Sequence, residues 1–163
     1  CKIMPVKVTQ FNFRPNGRPA IVYGYQGIVY AADNGASIIN CSWGGGGYSQ
    51  FEQEVINYAN SQGALVVAAA GNDNSSDQFF PAAYQNALSV AATNNDLRAS
   101  FSNYGYWVGV SAPGQTIYST WQSTSNPYVY NSGTSMASPM AAGVCALVKS
   151  LHKDWSPQQA GRR

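Results

Sequence analysis

Charged residues are scarce in this chain of 163 residues, because Asp, Glu, Lys and Arg make up only 10% of it. The net charge of +2 is too small to indicate binding to nucleic acid or to an anionic membrane surface. No apolar run approaches the roughly 20 residues of a membrane span, and the N-terminus lacks the apolar core of a signal peptide. The composition that remains, rich in Ser, Asn, Gly and Tyr, favours a globular protein that is secreted or held at the cell surface.

Histidine and cysteine are also scarce, with one His and three Cys in the chain. The cysteines lack the spacing of a metal site. Cys41 lies in an apolar strand-like run and Cys145 in an apolar helical run, so both are predicted to be buried thiols that pack as small hydrophobic groups. The carboxylates show no paired spacing, so no metal ligands are predicted.

Hydrophobic periodicity predicts strands alternating with helices. The predicted strands cover 37–43, 64–70 and 87–93, and the predicted helices cover 20–34 and 49–62, the second with an apolar face of Phe51, Val55, Tyr58 and Ala59. This order indicates a doubly wound, mostly parallel α/β sheet flanked by helices. A further strand is expected at 3–8 and a hairpin at 100–111, whereas 117–130 reads as irregular.

The carboxyl ends of parallel strands are where sites form in such sheets. Trp43-Gly44 and Gly71-Asn72 are two such ends. Further along, Asn131-Ser-Gly-Thr-Ser-Met-Ala-Ser-Pro139 reads as a glycine turn that delivers Ser135 to the first turn of a helix. A hydroxyl there can attack an acyl carbon while nearby N–H groups hold the resulting oxyanion. The alternative for Ser135 alone is an ordinary helix cap.

Three other stretches accompany this serine segment. They are Ala36-Ser-Ile-Ile-Asn-Cys-Ser-Trp-Gly-Gly45, Gly63-Ala-Leu-Val-Val-Ala-Ala-Ala-Gly-Asn72, and Asn103-Tyr-Gly105 followed by Val110-Ser-Ala-Pro-Gly114. In this order, the four stretches resemble the subtilisin family of serine proteases, and the resemblance runs from about residue 1 to 158. It implies a serine endopeptidase that acts on polypeptides through an acyl-enzyme.

The resemblance also implies roles for individual residues. Ser135 corresponds to the nucleophile, and Asn72 with the Ser135 N–H corresponds to the oxyanion hole. The implied substrate-binding residues are an edge made by Ser42, Trp43 and Gly44, and a pocket wall made by Ala69, Ala70 and Gly71. Phe79 and Phe80 fall near the floor of that pocket, which suggests an apolar or aromatic preference. The chemistry requires no cofactor, and the family's common structural calcium has no ligands that this sequence assigns.

The aspartate and histidine boxes of the family do not occur in this chain. His152 is excluded as the base, because it follows Ser135 by 17 residues of one predicted helix, roughly 25 Å at ~1.5 Å per residue. We therefore expect residues 1–163 to be part of a peptidase domain, incomplete on its N-terminal side, whose partner is the missing N-terminal part. The isolated chain is expected to be inactive.

Two other functions fit parts of the pattern. A non-catalytic pseudoprotease would bind peptides along the Ser42–Gly44 edge without cleaving them. A nucleotide-binding α/β module would need a phosphate loop, but no Lys-Ser/Thr follows the four glycines at 44–47.

Overall fold

The computed structural model describes residues 1–10 and 20–161. The helices in these residues are α1 (Gly24–Asp33), α2 (Gln50–Ser61), α3 (Thr134–Leu151) and α4 (Pro157–Gly161). The strands are β1 (Ile38–Cys41), β2 (Leu65–Ala69), β3 (Ala87–Asn94), β4 (Leu97–Arg98), β5 (Val110–Pro113), β6 (Ile117–Thr120) and β7 (Tyr128–Asn131). The predicted alternation of helices and strands between 20 and 93 is confirmed, with ends that differ by a few residues.

One sheet contains five of these strands. β1, β2, β3 and β5 pair in parallel, and β4 pairs antiparallel with the end of β3. The register sets Ile38 beside Leu65 and Val90 beside Val110. The predicted fold class, a doubly wound and mostly parallel sheet flanked by helices, is confirmed.

The central strand β2 is buried along its whole length. Val66 and Ala68 belong to the apolar cluster that includes residues of α1 and α2. Leu65 and Val67 belong to a second cluster, with residues of α3. Because strand side chains alternate between faces, helices cover both faces of the sheet. A strand covered in this way reads as a continuous apolar run, which is the pattern that predicted it.

The buried face of α2 differs from the predicted one. Phe51 is 70% exposed, and Tyr58 is 40% exposed, whereas Gln53 is buried among the apolar residues. Gln53 tolerates burial because its amide donates to the carbonyl oxygen of Gln85 and accepts from the N–H of Gln85, both at 3.0 Å. A buried polar group that is fully paired costs little.

Two further predictions about elements are wrong. Residues 3–8 form no strand, and only an isolated bridge joins Thr9 to Ile21. No hairpin forms at 100–111, where only Val110 and Ser111 belong to a strand, the parallel strand β5. The antiparallel turn lies earlier, between β3 and β4, where Asn95 has a φ of 52°. Asparagine tolerates this left-handed conformation because its short polar side chain can bond to nearby backbone.

The stretch from 117 to 130, predicted as irregular, contains the antiparallel β6–β7 hairpin. The rings of Tyr118, Tyr128 and Tyr130 stack along it. Most of the side chains in both strands are exposed. Apolar or aromatic residues stand at successive positions in both strands, at 117–118 and at 128–130, so the alternation of apolar and polar residues that predicts a strand is absent.

The cysteines behave as expected where the prediction was specific. Cys41 and Cys145 are both buried, and all three cysteines are free thiols. Burial raises the pKa of the Cys41 thiol to about 12 and also raises the pKa of Cys145. Within the described ranges, no helix is long and apolar enough to cross a membrane.

Candidate active site

The turn before α3 depends on Gly133. Its φ of 154° lies in a region that residues with a side chain rarely adopt. The Gly133 N–H donates to the carbonyl oxygen of Gly114 at 2.7 Å, and the Gly133 carbonyl accepts from Met136 at 3.0 Å. This turn makes Ser135 the second residue of α3, where backbone N–H groups have no partner within the helix.

Thr134 joins the start of α3 to the end of β2. It is completely buried, and its hydroxyl accepts from the N–H of Gly71 at 3.1 Å. Its N–H and its hydroxyl both donate to Oδ1 of Asn72, at 2.8 and 3.0 Å. No local pattern in the sequence predicts this role for Thr134, although it stands between Gly133 and Ser135.

These contacts determine which way the Asn72 amide faces. Since the Thr134 N–H is only a donor, the Asn72 atom opposite it is the oxygen, and Nδ2 lies on the other side of the amide. A Cβ placed on Gly133 would lie 3.6 Å from both Nδ2 and Oδ1 of Asn72 and 3.7 Å from Ser135 N. Two N–H donors thus flank one space beside the serine, and Nδ2 donates to no other described residue.

A proline in α3 leaves the Ser135 carbonyl oxygen available for a hydrogen bond from Ser42. Pro139 has no N–H to donate to the carbonyl four residues earlier, which belongs to Ser135. That carbonyl accepts from the Ser42 hydroxyl at 2.9 Å instead. In return, the Ser135 hydroxyl donates to the carbonyl oxygen of Ser42 at 3.3 Å. The end of β1 and the start of α3 are therefore joined at the serine itself.

A polar chain supports Ser42 from behind. Nδ2 of Asn40 donates to the Ser42 hydroxyl at 3.0 Å, and the buried Ser138 hydroxyl donates to Oδ1 of Asn40 at 2.8 Å. Neither Asn40 nor Ser138 is among the predicted site residues. The signal that could identify them is their type, because each is a polar residue inside an apolar run of its element.

The loop that carries Asn72 is held by Asn103, which is only 2% exposed. Oδ1 of Asn103 accepts from the N–H groups of Asp73 and Ser75, at 2.8 and 3.1 Å. Its Nδ2 donates to the carbonyl oxygen of Ala70 at 2.9 Å. One buried amide thus fixes the backbone on both sides of Asn72.

The two predicted substrate-binding segments flank this centre. Ser42, Trp43 and Gly44 follow β1 as exposed or half-buried residues, and the ring of Trp43 packs edge-on against Tyr25 at 5.4 Å. Ala69 and Ala70 are buried at the end of β2 and lead into Gly71.

A cavity of about 480 Å³ opens beside Trp43. Among the described residues that line it, Glu52 is the only charged one. The Tyr84 hydroxyl donates to Oε2 of Glu52 at 2.6 Å. Burial raises the pKa of Tyr84 to about 12, with a further contribution from Glu52, and burial also raises the pKa of Tyr25. Both phenols therefore remain protonated donors at neutral pH.

Within residues 1–10 and 20–161, the hydrogen bond that the Ser135 hydroxyl donates goes to the main-chain carbonyl of Ser42. The chain's only histidine, His152, lies just beyond the last residue of α3, with its ring stacked on Trp155 at 3.8 Å. Lys149 lies near the same end and donates to the carbonyl oxygen of Lys153 at 2.7 Å. In residues 1–10 and 20–161, no cluster of His, Cys, Asp and Glu could hold a metal ion.

Sequence comparison places this arrangement in context. Residues 1–162 match the Subtilase family. The chain is 52% identical over 124 residues to the thermophilic serine proteinase of Bacillus sp. (strain AK1), and 49% identical over 125 residues to thermitase of Thermoactinomyces vulgaris. Each alignment covers 76% of this chain, but only 30% and 44% of the respective relatives. The chain thus spans less than half the length of these two proteins.

Solved structures agree with the sequence match. A protease of Pseudoalteromonas arctica superposes with a TM-score of 0.79 at 36% identity, over 84% of this chain and 48% of its own. A cold-adapted subtilisin-like serine proteinase superposes with a TM-score of 0.77 at 35% identity, over 84% of this chain and 50% of its own. The chain belongs to the subtilase family of serine peptidases.

Proposed function

We propose that this chain supplies the nucleophile and the oxyanion hole of an endopeptidase that cleaves polypeptides through an acyl-enzyme. The observation that carries the proposal is the space flanked by Asn72 Nδ2 and Ser135 N, next to the Ser135 hydroxyl. A scissile carbonyl oxygen in that space would meet two N–H donors. Its carbon would then lie beside the attacking Oγ of Ser135.

The reaction follows from this placement. Oγ of Ser135 attacks the carbonyl carbon, and the negative charge that develops on the carbonyl oxygen is stabilised by the two donors. Collapse of the tetrahedral intermediate expels the amine and leaves an ester on Ser135, which water then hydrolyses. In a subtilisin, loss of the side-chain donor costs about two to three orders of magnitude in kcat. The same loss is expected for Asn72→Ala.

The proton acceptor is proposed to come from outside this chain. The Ser135 hydroxyl donates to a main-chain carbonyl, which cannot accept the proton as a base. The alignments cover only 30% and 44% of these two relatives, which leaves room for another part of the same domain that would provide the family's aspartate and histidine. Removal of the base in a subtilisin lowers kcat by about six orders of magnitude. We therefore expect the 163-residue chain alone to be inactive.

The proposed substrate is an extended polypeptide. Its main chain would pair along Ser42, Trp43 and Gly44, as peptides add to an open strand edge. The residue before the scissile bond would face Ala69, Ala70 and Gly71. No cofactor enters the chemistry, and structural calcium remains unassigned. We further propose that the enzyme acts outside the cell, as its low charge content suggests.

Labelling with a fluorophosphonate probe tests the proposal. We compare the 163-residue chain with an extended protein, defined as this chain joined to the translation of the coding sequence upstream of Cys1. The extended protein should be labelled rapidly, its Ser135→Ala variant should not, and Ser150→Ala should react like the parent. Ser150 is a suitable control because it is exposed on the same helix.

Two results would contradict parts of this proposal. Rapid labelling of the 163-residue chain would contradict its predicted inactivity. An extended protein that binds peptides, but neither reacts with the probe nor cleaves them, would be a pseudoprotease.

A further inference from the structure

The ring of Phe79 lies between the two segments that are proposed to bind substrate. A Cβ placed on Gly44 would lie 2.4 Å from Cε1 and 2.9 Å from Cδ1 of Phe79. A Cβ placed on Gly71 would lie 3.1 Å from Cγ of the same ring. The ring therefore packs directly against the backbone of both segments. A Cβ on Gly44 would collide with the ring, whereas a Cβ on Gly71 would be tight against the ring and would collide with Nδ2 of Asn103.

The backbone around Phe79 holds the ring in this position. Phe80 forms a bridge with Gly45, in which the two N–H···O hydrogen bonds measure 2.8 and 2.7 Å. The buried Phe80 ring packs on Tyr84 with a centroid distance of 4.5 Å. The Phe79 carbonyl accepts from the N–H of Ala83 at 2.9 Å. These contacts fix the backbone from which the Phe79 ring extends toward Gly44 and Gly71.

We propose that Phe79 occupies the pocket between Gly44 and Gly71 and so restricts the enzyme to peptides with a small side chain before the scissile bond. Glycine, alanine and serine are the side chains of suitable size. This proposal rests on the proposed function and makes it more specific. It also replaces the aromatic preference expected from the sequence.

Packing distances indicate that the Phe79 ring fills the pocket and does not serve as a surface on which an aromatic substrate side chain stacks. An aromatic substrate side chain stacked on Phe79 would need a further layer of about 3.5–4.0 Å between the ring and the opposite wall. Phe79 is already in contact with both walls. The glycines at 44 and 71 therefore accommodate the protein's own ring and leave no room for a second one.

Peptide cleavage tests the specificity. Substrates for the extended protein are identical except for Ala or Phe before the cleaved bond. Since one methylene in an apolar pocket changes kcat/KM by ~10–200-fold, the Ala peptide should be preferred by at least ~10-fold. Phe79→Ala should raise the ratio of kcat/KM for the Phe peptide to kcat/KM for the Ala peptide by at least ~10-fold. Phe79→Leu, which retains more of the packing, should give an intermediate ratio.

Phe51→Ala is the matched control, because Phe51 is 70% exposed on α2 and is not among the nearest neighbours of a Cβ placed on either glycine. It should keep the parental Ala-to-Phe ratio. Parental enzyme that cleaves after Phe as well as after Ala would overturn the proposal. An unchanged ratio in Phe79→Ala and Phe79→Leu would also overturn it.

A binding measurement on the 163-residue chain separates this proposal from the proposed function. In ¹⁹F NMR, 4-fluorobenzyl alcohol should bind to Phe79→Ala, because an apolar space lined by protein accepts a small aromatic molecule. The parent and Phe51→Ala should not bind it. This pattern in the 163-residue chain, together with an extended protein that cleaves no peptide, would sustain the filled pocket while refuting the peptidase. Equal binding to the parent and to Phe79→Ala would refute the filled pocket.

Discussion

Oδ1 of Asn72 accepts two hydrogen bonds from Thr134, one from the backbone N–H at 2.8 Å and one from the hydroxyl at 3.0 Å. The same hydroxyl accepts from the N–H of Gly71. Thr134 therefore turns Nδ2 of Asn72 toward the space beside Ser135. Thr134 contacts no substrate in the proposed mechanism, but it positions the Asn72 amide that would donate to the substrate carbonyl.

Thr134→Val should weaken both stability and reactivity. The substitution keeps the shape of the side chain, but it leaves the buried N–H of Gly71 without an acceptor and removes one donor to Asn72. An unpaired buried polar group costs about 1–3 kcal/mol. Urea unfolding of the 163-residue chain should show a loss of unfolding free energy in that range.

Thr134→Ser is the companion variant, because it keeps the hydroxyl and removes only a buried methyl. In the extended protein it should retain kcat within about threefold, whereas Thr134→Val should lose at least ~10-fold, the usual scale of one lost hydrogen bond. Equal kcat values for the two variants would show that the hydroxyl does not orient Asn72.

Gly133→Ala should lower kcat, whereas Gly143→Ala should leave kcat unchanged and raise the unfolding free energy, although both glycines lie at or in α3. At Gly133 the φ of 154° disfavours any side chain, and the new methyl would enter the space between Asn72 Nδ2 and Ser135 N. We expect Gly133→Ala to lower kcat of the extended protein at least ~100-fold, as for loss of the oxyanion site.

At Gly143, in the middle of α3, an added Cβ meets no atom within 4 Å. Alanine is preferred to glycine inside a helix by about 0.5–1 kcal/mol. Gly143→Ala should therefore raise the unfolding free energy and leave kcat unchanged. A Gly133→Ala variant with parental kcat would mean that substrate does not use the space beside Ser135.

The proximity of Ser135 and Asn72 could be predicted because each residue follows a recognisable local pattern. Asn72 follows an apolar run that becomes the buried strand β2, and Ser135 follows a glycine turn. The roles of Asn103 and Thr134 could not be predicted in the same way. Their hydrogen bonds join residues far apart in the sequence, and such bonds leave no periodicity for a local pattern to reveal.

Phe79 shows a different limit of sequence reasoning. Its position placed it near the floor of a pocket, and its type suggested an apolar surface for substrate. Whether the ring lines a pocket or fills it depends on the distance between two segments that are distant in the sequence. Only the contacts with Gly44 and Gly71 distinguish these two cases.

Stability at alkaline pH should depend on Cys41. Burial raises the pKa of this thiol to about 12 in the folded chain, compared with about 8.5 in an unfolded chain. The unfolded state therefore loses its proton first as the pH rises. The stabilising contribution of the protonated thiol is complete below about pH 8.5 and is lost progressively as the pH approaches 12.

Urea unfolding at several pH values from 7 to 11 measures this dependence. The parent should lose stability above about pH 8.5 more steeply than Cys41→Ala, whose remaining slope comes from other groups with raised pKa values, such as Tyr84 and Cys145. Cys1→Ala is the matched control because Cys1 is exposed, and it should follow the parent. If Cys41→Ala and the parent have the same slope, the Cys41 thiol titrates at similar pH in the folded and unfolded chains, and its burial does not suppress the thiolate.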